Sequence, residues 1–138
     1  MTKQFWLNLP VKNVNKSREF FTSIGFKFND GFGNGPNMAC MLMGEKNVVV
    51  MLCDEPTFKG YTNTDIASTK SATEVLLSID AESKEEVDEL VNKVIAAGGT
   101  STHKPYEMTG YMYGCVFTDP DGHRWNILYM DMSKMQRG

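Results

Sequence analysis

Few side chains in this sequence combine a reactive group with a spacing that gives it chemistry to do. The 138 residues include two histidines, His103 and His123, and three cysteines, Cys40, Cys53 and Cys115. The cysteines are odd in number, lie far apart and form no C-x-x-C pair, so they read as reduced thiols buried as small hydrophobes. His123 follows the turn Asp119-Pro120-Asp121-Gly122, where solvent exposure is the plain reading, and His103 stands near a strand end with either face open to it. Nothing singles out a Ser or Cys nucleophile, because such groups meet their base in space and not in sequence. Gly31, Gly33 and Gly35 sit in a turn region between strands and open no helix, which excludes a phosphate-binding loop.

The other candidates appear once the elements that must carry them are laid out. Residues 5–11 alternate, with Phe5, Leu7, Leu9 and Val11 against Trp6, Asn8 and Pro10, which predicts a strand with two chemically different faces. Asn13 or Asn15 can cap a helix that carries Phe20, Phe21 and Ile24 and stops at Gly25. A short strand over residues 26–29, a Gly- and Asn-rich turn over 30–37, and a hairpin of strands 38–43 and 48–53 complete a β-α-β-β-β order. The second half repeats it. Residues 74–80 alternate again, Ser83-Lys84-Glu85-Glu86 predicts a capping box, and Val87, Leu90, Val91, Val94 and Ile95 form an apolar stripe ended by Gly98-Gly99. Strands are predicted over 100–104, 111–117 and 124–130, with turns over 105–110 and 119–122. Two halves with one order of elements suggest a duplicated unit: residues 1–55, a connector over 56–72, and residues 73–138, together one domain of α+β class.

Register ties the chemistry to this frame. Aligning Val11 with Ile79 places Trp6 opposite Glu74, and aligning the last strands of each half places Met51 opposite Asn126. All four are predicted on the face away from the helices, which is either a second packing surface or the wall of a cavity. The stretch 54–73 is polar, with Pro56, Gly60 and several Thr, Ser and Asn, and is expected to be a long connector with Phe58 and Tyr61 tucked inward.

Composition narrows the partners. A chain with 41% hydrophobic and 11% aromatic residues is an ordinary globular one, and a net charge of −3 argues against a nucleic-acid binder, which needs clustered Lys and Arg. No apolar run approaches a membrane span, and the N-terminal Met1-Thr-Lys-Gln-Phe-Trp lacks the apolar core of a signal peptide. With its free thiols, the chain is expected in the cytoplasm. Its ten methionines suit either core filling or a pliable lining for an apolar ligand.

The phrase Leu9-Pro10-Val11-Lys12-Asn13 before Glu19-Phe20-Phe21 and Gly25-Phe26, with the closing Asp119-Pro120-Asp121-Gly122-His123-Arg124-Trp125, resembles the vicinal oxygen chelate superfamily over essentially the whole chain. That superfamily includes glyoxalase I, bleomycin-resistance proteins and extradiol dioxygenases. The resemblance implies two tandem βαβββ modules forming cupped mixed sheets with helices on the outer face. It also implies that Trp6, Met51, Glu74 and Asn126 stand where metal-dependent members hold a divalent ion. Only Glu74 is a good hard-metal ligand in that set: Trp offers no lone pair, Met is a soft thioether, and an Asn carbonyl is weak. A shift of two residues would replace Trp6 with Asn8 and add no charged ligand.

No metal and no cofactor are therefore expected. The reading that follows is a small-molecule binder in the manner of bleomycin-resistance members, with Trp6, Asn8, Met51, Glu74, Leu76, Asn126, Leu128 and Met130 around the ligand. The rival is an enzyme: a lyase, isomerase or dioxygenase with an atypical metal site, or one using Glu74 as general base, since an apolar pocket raises a carboxyl toward neutrality. The resemblance further implies a two-fold homodimer.

Overall fold

In the computed structural model, which describes residues 1–31 and 33–134, the chain forms two compact units, Met1–Ser68 and Thr69–Gly138. Each is a four-stranded mixed sheet with a helix on one face, which gives the expected α+β class of two βαβββ modules.

In the first unit β1 (Trp6–Val11) lies parallel to β4 (Val48–Asp54), and β3 (Met38–Met43) and β2 (Lys27–Phe28) follow antiparallel, in the order β1-β4-β3-β2. Helix α1 (Val14–Ser23) is capped by Asn13, whose side-chain oxygen accepts from the Lys16 N–H at 3.1 Å. The chain leaves α1 through Gly25 at φ +101, a conformation that favours glycine. Strand alternation sorts the core: Leu9, Val11, Ala39, Met41, Val50 and Leu52 share one face, against which α1 lays Val14, Phe20 and Phe21.

The second unit repeats this with β5 (Leu76–Ala81), α3 (Lys84–Ala96), β6 (Tyr106–Met108), β7 (Met112–Thr118) and β8 (Arg124–Met130), in the order β5-β8-β7-β6. Ser83 caps α3, accepting from the Glu86 N–H at 3.1 Å; the Glu86 carboxylate reaches back to the Glu82 N–H, one residue earlier than the capping box predicts. Val87, Leu90, Val91 and Val94 cover Cys115, Phe117, Trp125 and Ile127.

Three expectations are corrected. The supposed loop of the connector contains helix α2 (Glu55–Thr62): Asp54 caps it by accepting from the Thr57 N–H at 3.0 Å, Pro56 fits its first turn, and Asn63 closes it in the left-handed region at φ 58. Residues 100–104 give only an isolated bridge, Thr100 to Thr118, because the Ser101 hydroxyl donates to the His103 carbonyl at 2.7 Å and bends the chain. The strand expected there forms instead as β6, where a turn was predicted; the turn itself tightens to Thr109 and Gly110, both at positive φ.

Candidate functional site

The face of each sheet opposite its N-terminal helix is where the sequence places chemistry. In the first unit, Trp6 pairs with Val49, Asn8 with Met51 and Pro10 with Cys53, while Cys40 and Met38 stand across from Met51 and Cys53. Helix α2 packs on β1 and β4, and its Phe58 seats on a cluster of Cys40, Met51 and Cys53, flanked by Met38, Leu42 and Val49. Gly33, at φ +72, seals the same cluster: a Cβ there would stand 3.1 Å from Met51 Cε and 3.2 Å from Cys40 Cβ. Burial pushes the Cys40 and Cys53 thiols up, and the Asp54 charge adds to the rise at Cys53. Met51, expected to line a pocket, is 8% exposed and is a packing residue; Asn8 is half-buried, with its Oδ1 3.9 Å from the Cys53 thiol. Trp6, at the open end of β1, is 53% exposed.

The second unit has no such cover among the described residues. On the face away from α3, Leu76 pairs with Arg124, Ser78 with Asn126 and Asp80 with Leu128, and β7 adds Val116 and Gly114 beside them. Leu76, Ser78 and Asp80 are exposed; Asn126, Leu128 and Val116 are half-buried. At the centre the Asn126 amide donates to the Ser78 hydroxyl at 3.4 Å, leaving a short polar pair with Leu76, Leu128 and Val116 around it. Gly114 lets β7 and β8 approach, since a Cβ there would fall 2.4 Å from the Ile127 carbonyl oxygen.

The Asp-Pro-Asp-Gly turn is a fixed support for this face. The buried Asp119 carboxylate accepts from the Asp121 and His123 amides at 2.9 and 3.1 Å and from the Trp125 indole at 3.0 Å. Arg124 Nη1 donates to the Thr69 and Gly122 carbonyls, and the Thr69 hydroxyl donates to the Asp121 carbonyl, which anchors the incoming chain.

Matching the units through their helix caps gives an offset of 83 − 13 = 70, not 68. Trp6 therefore corresponds to Leu76 and Asn8 to Ser78. The correspondence of Met51 with Asn126 holds, because each pairs with the matched residue of its first strand. Glu74 stands at a bend two residues before β5 and is exposed. The shift escapes the hydrophobic pattern because alternation repeats every two residues and leaves every side chain on its own face. Ser78 was missed for the same reason, and the two cap positions were the signal that finds it.

The donor chemistry does not fit a divalent metal of the kind the resemblance implies. Neither neighbouring pair, Asn8 with Met51 or Ser78 with Asn126, supplies a carboxylate or imidazole, and no group of three or more His, Cys, Asp or Glu among the described residues is arranged to hold an ion. His103 is exposed, its ring 2.9 Å from the Lys104 carbonyl and edge-on to Tyr106; the buried Cys115 thiol lies between the Ser101 hydroxyl, at 3.2 Å, and the His103 carbonyl, at 3.3 Å. Burial pushes that thiol up and the Ser101 contact pulls it back. No helix among the described residues is long and apolar enough to cross a membrane.

Residues 3–127 match the family described as the Glyoxalase/Bleomycin resistance protein/Dioxygenase superfamily. Among solved structures, the hypothetical protein SA1046 from S. aureus is 34% identical, with a TM-score of 0.82 over 94% of each chain. A glyoxalase/bleomycin resistance protein/dioxygenase family enzyme from Burkholderia phytofirmans PsJN is 21% identical, with a TM-score of 0.77 over 91% of this chain and 97% of that one. A glyoxalase-related enzyme from Fulvimarina pelagi is 18% identical, with a TM-score of 0.74 over 92% and 88%. No curated protein matches the sequence.

Proposed function

The chain belongs to the Glyoxalase/Bleomycin resistance protein/Dioxygenase superfamily, and from that premise we propose that it binds a small, partly apolar molecule on the open face of its second module, without the divalent metal of the metal-dependent members. The observation that carries this reading is the Ser78 and Asn126 pair, on a sheet face that no helix among the described residues of its own unit covers, framed by Leu76, Leu128 and Val116. An amide and a hydroxyl amid apolar side chains orient a ligand through its polar groups while the surrounding area supplies affinity. Glu74 lies at an exposed bend two residues before β5, so it lacks the burial on which its use as a base depends.

The three unbridged cysteines suit a reducing cytoplasm. The exposed Phe5, Trp6, Val75 and Leu76 lie at the starts of β1 and β5, each an edge strand of its sheet, and a homodimer would cover them. Native mass spectrometry of freshly purified protein tests the binding reading. One organic adduct per chain that disappears in Asn126→Leu is expected. Absence of any adduct, or stoichiometric divalent metal lost in Glu74→Ala, overturns it.

A further inference from the structure

The covered face of the first module concentrates sulfur. The sequence carries two M-x-C triplets, Met38-Ala39-Cys40 and Met51-Leu52-Cys53, and both fall on strands that pair antiparallel. Because side chains alternate along a strand, the first and third residue of each triplet share a face. Register then sets Met38 directly across from Cys53 and Cys40 directly across from Met51, so the four sulfurs form a two-by-two patch with thiols on one diagonal and thioethers on the other. Diagonal neighbours lie about 7–8 Å apart in Cα terms, which is too long for a disulfide without moving the backbone. Side chains on that spacing can still converge on one ion placed between them.

We propose that Cys40 and Cys53, completed by the Met51 thioether, bind one soft monovalent metal ion, with copper(I) as the probe. Thiolate and thioether sulfur select such an ion and disfavour hard divalent ones; Asn8 Oδ1 stands 3.9 Å from Cys53 Sγ, a neutral amide oxygen that adds no hard anionic ligand. The patch is a contiguous cluster in which Cys40 and Cys53 are 1% and 0% exposed, so an ion there is shielded from competing water ligands. Its cover is thin. Phe58 is the ring of α2 that packs on the cluster, and α2 has no fully buried residue, so displacing that ring opens a path. On the other side Gly33 contributes only backbone, leaving Met51 Sδ within 3.4 Å of the place a Cβ would occupy. As the ion enters, each thiol that becomes a ligand releases its proton to solvent. This site uses residues of the first module alone, so it and the ligand reading of the second module can fail separately.

The test uses the full, reduced chain under anaerobic conditions, competing for copper(I) held by the coloured chelator bathocuproine disulfonate. Withdrawal of one copper per chain is expected. Cys40→Ala and Cys53→Ala should each weaken it by roughly tenfold or more, and the volume-conserving Met51→Leu by several-fold, whereas Cys115→Ala should leave it unchanged. Circular dichroism of each variant without metal establishes that it is folded; if either alanine variant does not fold, the Met51→Leu result decides. No withdrawal by the native chain, an unchanged Met51→Leu, an equal loss in Cys115→Ala, or zinc bound as tightly as copper overturns the proposal.

Discussion

The two modules agree where a helix dictates and differ where none does. Under α1 and α3 both sheets bury aliphatic and aromatic side chains, and both helices begin at a polar cap and end at a left-handed glycine, Gly25 or Gly98. On the opposite faces, the matched positions hold Asn8 and Met51 in one module and Ser78 and Asn126 in the other. The divergence starts at one residue. Asp54, paired with Val11, corresponds to Tyr129, paired with Ala81. Asp54 caps a new helix and turns the chain back over its sheet, whereas Tyr129 continues the strand to Met130. A single cap thus separates the covered, sulfur-rich face of one module from the face that no helix among the described residues covers in the other.

The largest expected effect removes the support of the open module. Asp119→Ala strips acceptors from two backbone amides and from the indole of Trp125, which is 1% exposed, and should cost about 3–5 kcal/mol, measured by urea unfolding. Hydrogen exchange should place the loss in residues 69–134; equal loss in the first unit would mean that the two units unfold together. The same residue gives a pH signature. Burial raises the Asp119 carboxyl above its ordinary value of 3.8 despite the hydrogen bonds that pull it down. The folded state therefore holds this proton more tightly than the unfolded one, so its contribution is most favourable below the ordinary value and declines as pH climbs through the folded one. Asp119→Asn should flatten that decline.

Next in size is the matched pair itself. Met51→Ala, in a packed cluster, should cost about 2–4 kcal/mol, while Asn126→Ala, half-buried beside Ser78, should cost below about 1 kcal/mol. Equal costs would mean that the second face is packed as tightly as the first.

These contrasts were only partly legible in the sequence. The cap Ser83, a first cap narrowed to Asn13 or Asn15, the two terminating glycines and the correspondence of Met51 with Asn126 were readable, because each rests on local chemistry or on strand periodicity. Glu74 was misplaced because periodicity cannot register a two-residue slip. The inward turn of Phe58 was expected, but the helix that carries it was missed because α2 is short and polar; its helical character lies in Asp54, Pro56 and Asn63, three residues that also spell a loop. The metal-poor character of the site positions, by contrast, follows from residue types, and it survives the slip that removes Glu74.

Removing the cover converts the sealed face toward the open one. Phe58→Ala should cost about 2 kcal/mol, since the ring is only partly buried, and should make Cys40 and Cys53 reactive toward a thiol-titrating disulfide reagent while Cys115 stays protected. Thiols that remain unreactive would show that Gly33 and the strands, not α2, close the face.

The smallest effect concerns a tie between helix and sheet in the second module. The Tyr113 hydroxyl donates to the Asp88 carboxylate at 2.6 Å, joining β7 to α3, with Lys84 5.6 Å from the ring centroid and paired with Glu107. That hydrogen bond, helped by partial burial and by nearby negative charge, pushes the phenol from 10 up to about 12. The folded value lies above the unfolded one, so the bond's stabilisation is fully present below pH 10 and is lost as pH rises from 10 toward 12. The hydrogen bond lies at the solvent-exposed edge of the half-buried ring, so screening keeps the gain small, and the titration reports it better than unfolding does. In a stopped-flow alkaline jump followed by phenolate absorbance, one of the five tyrosines should ionise late. Asp88→Asn should bring that step back toward 10, and Tyr113→Phe should abolish it; a late step that survives in Tyr113→Phe would assign the tie to another residue.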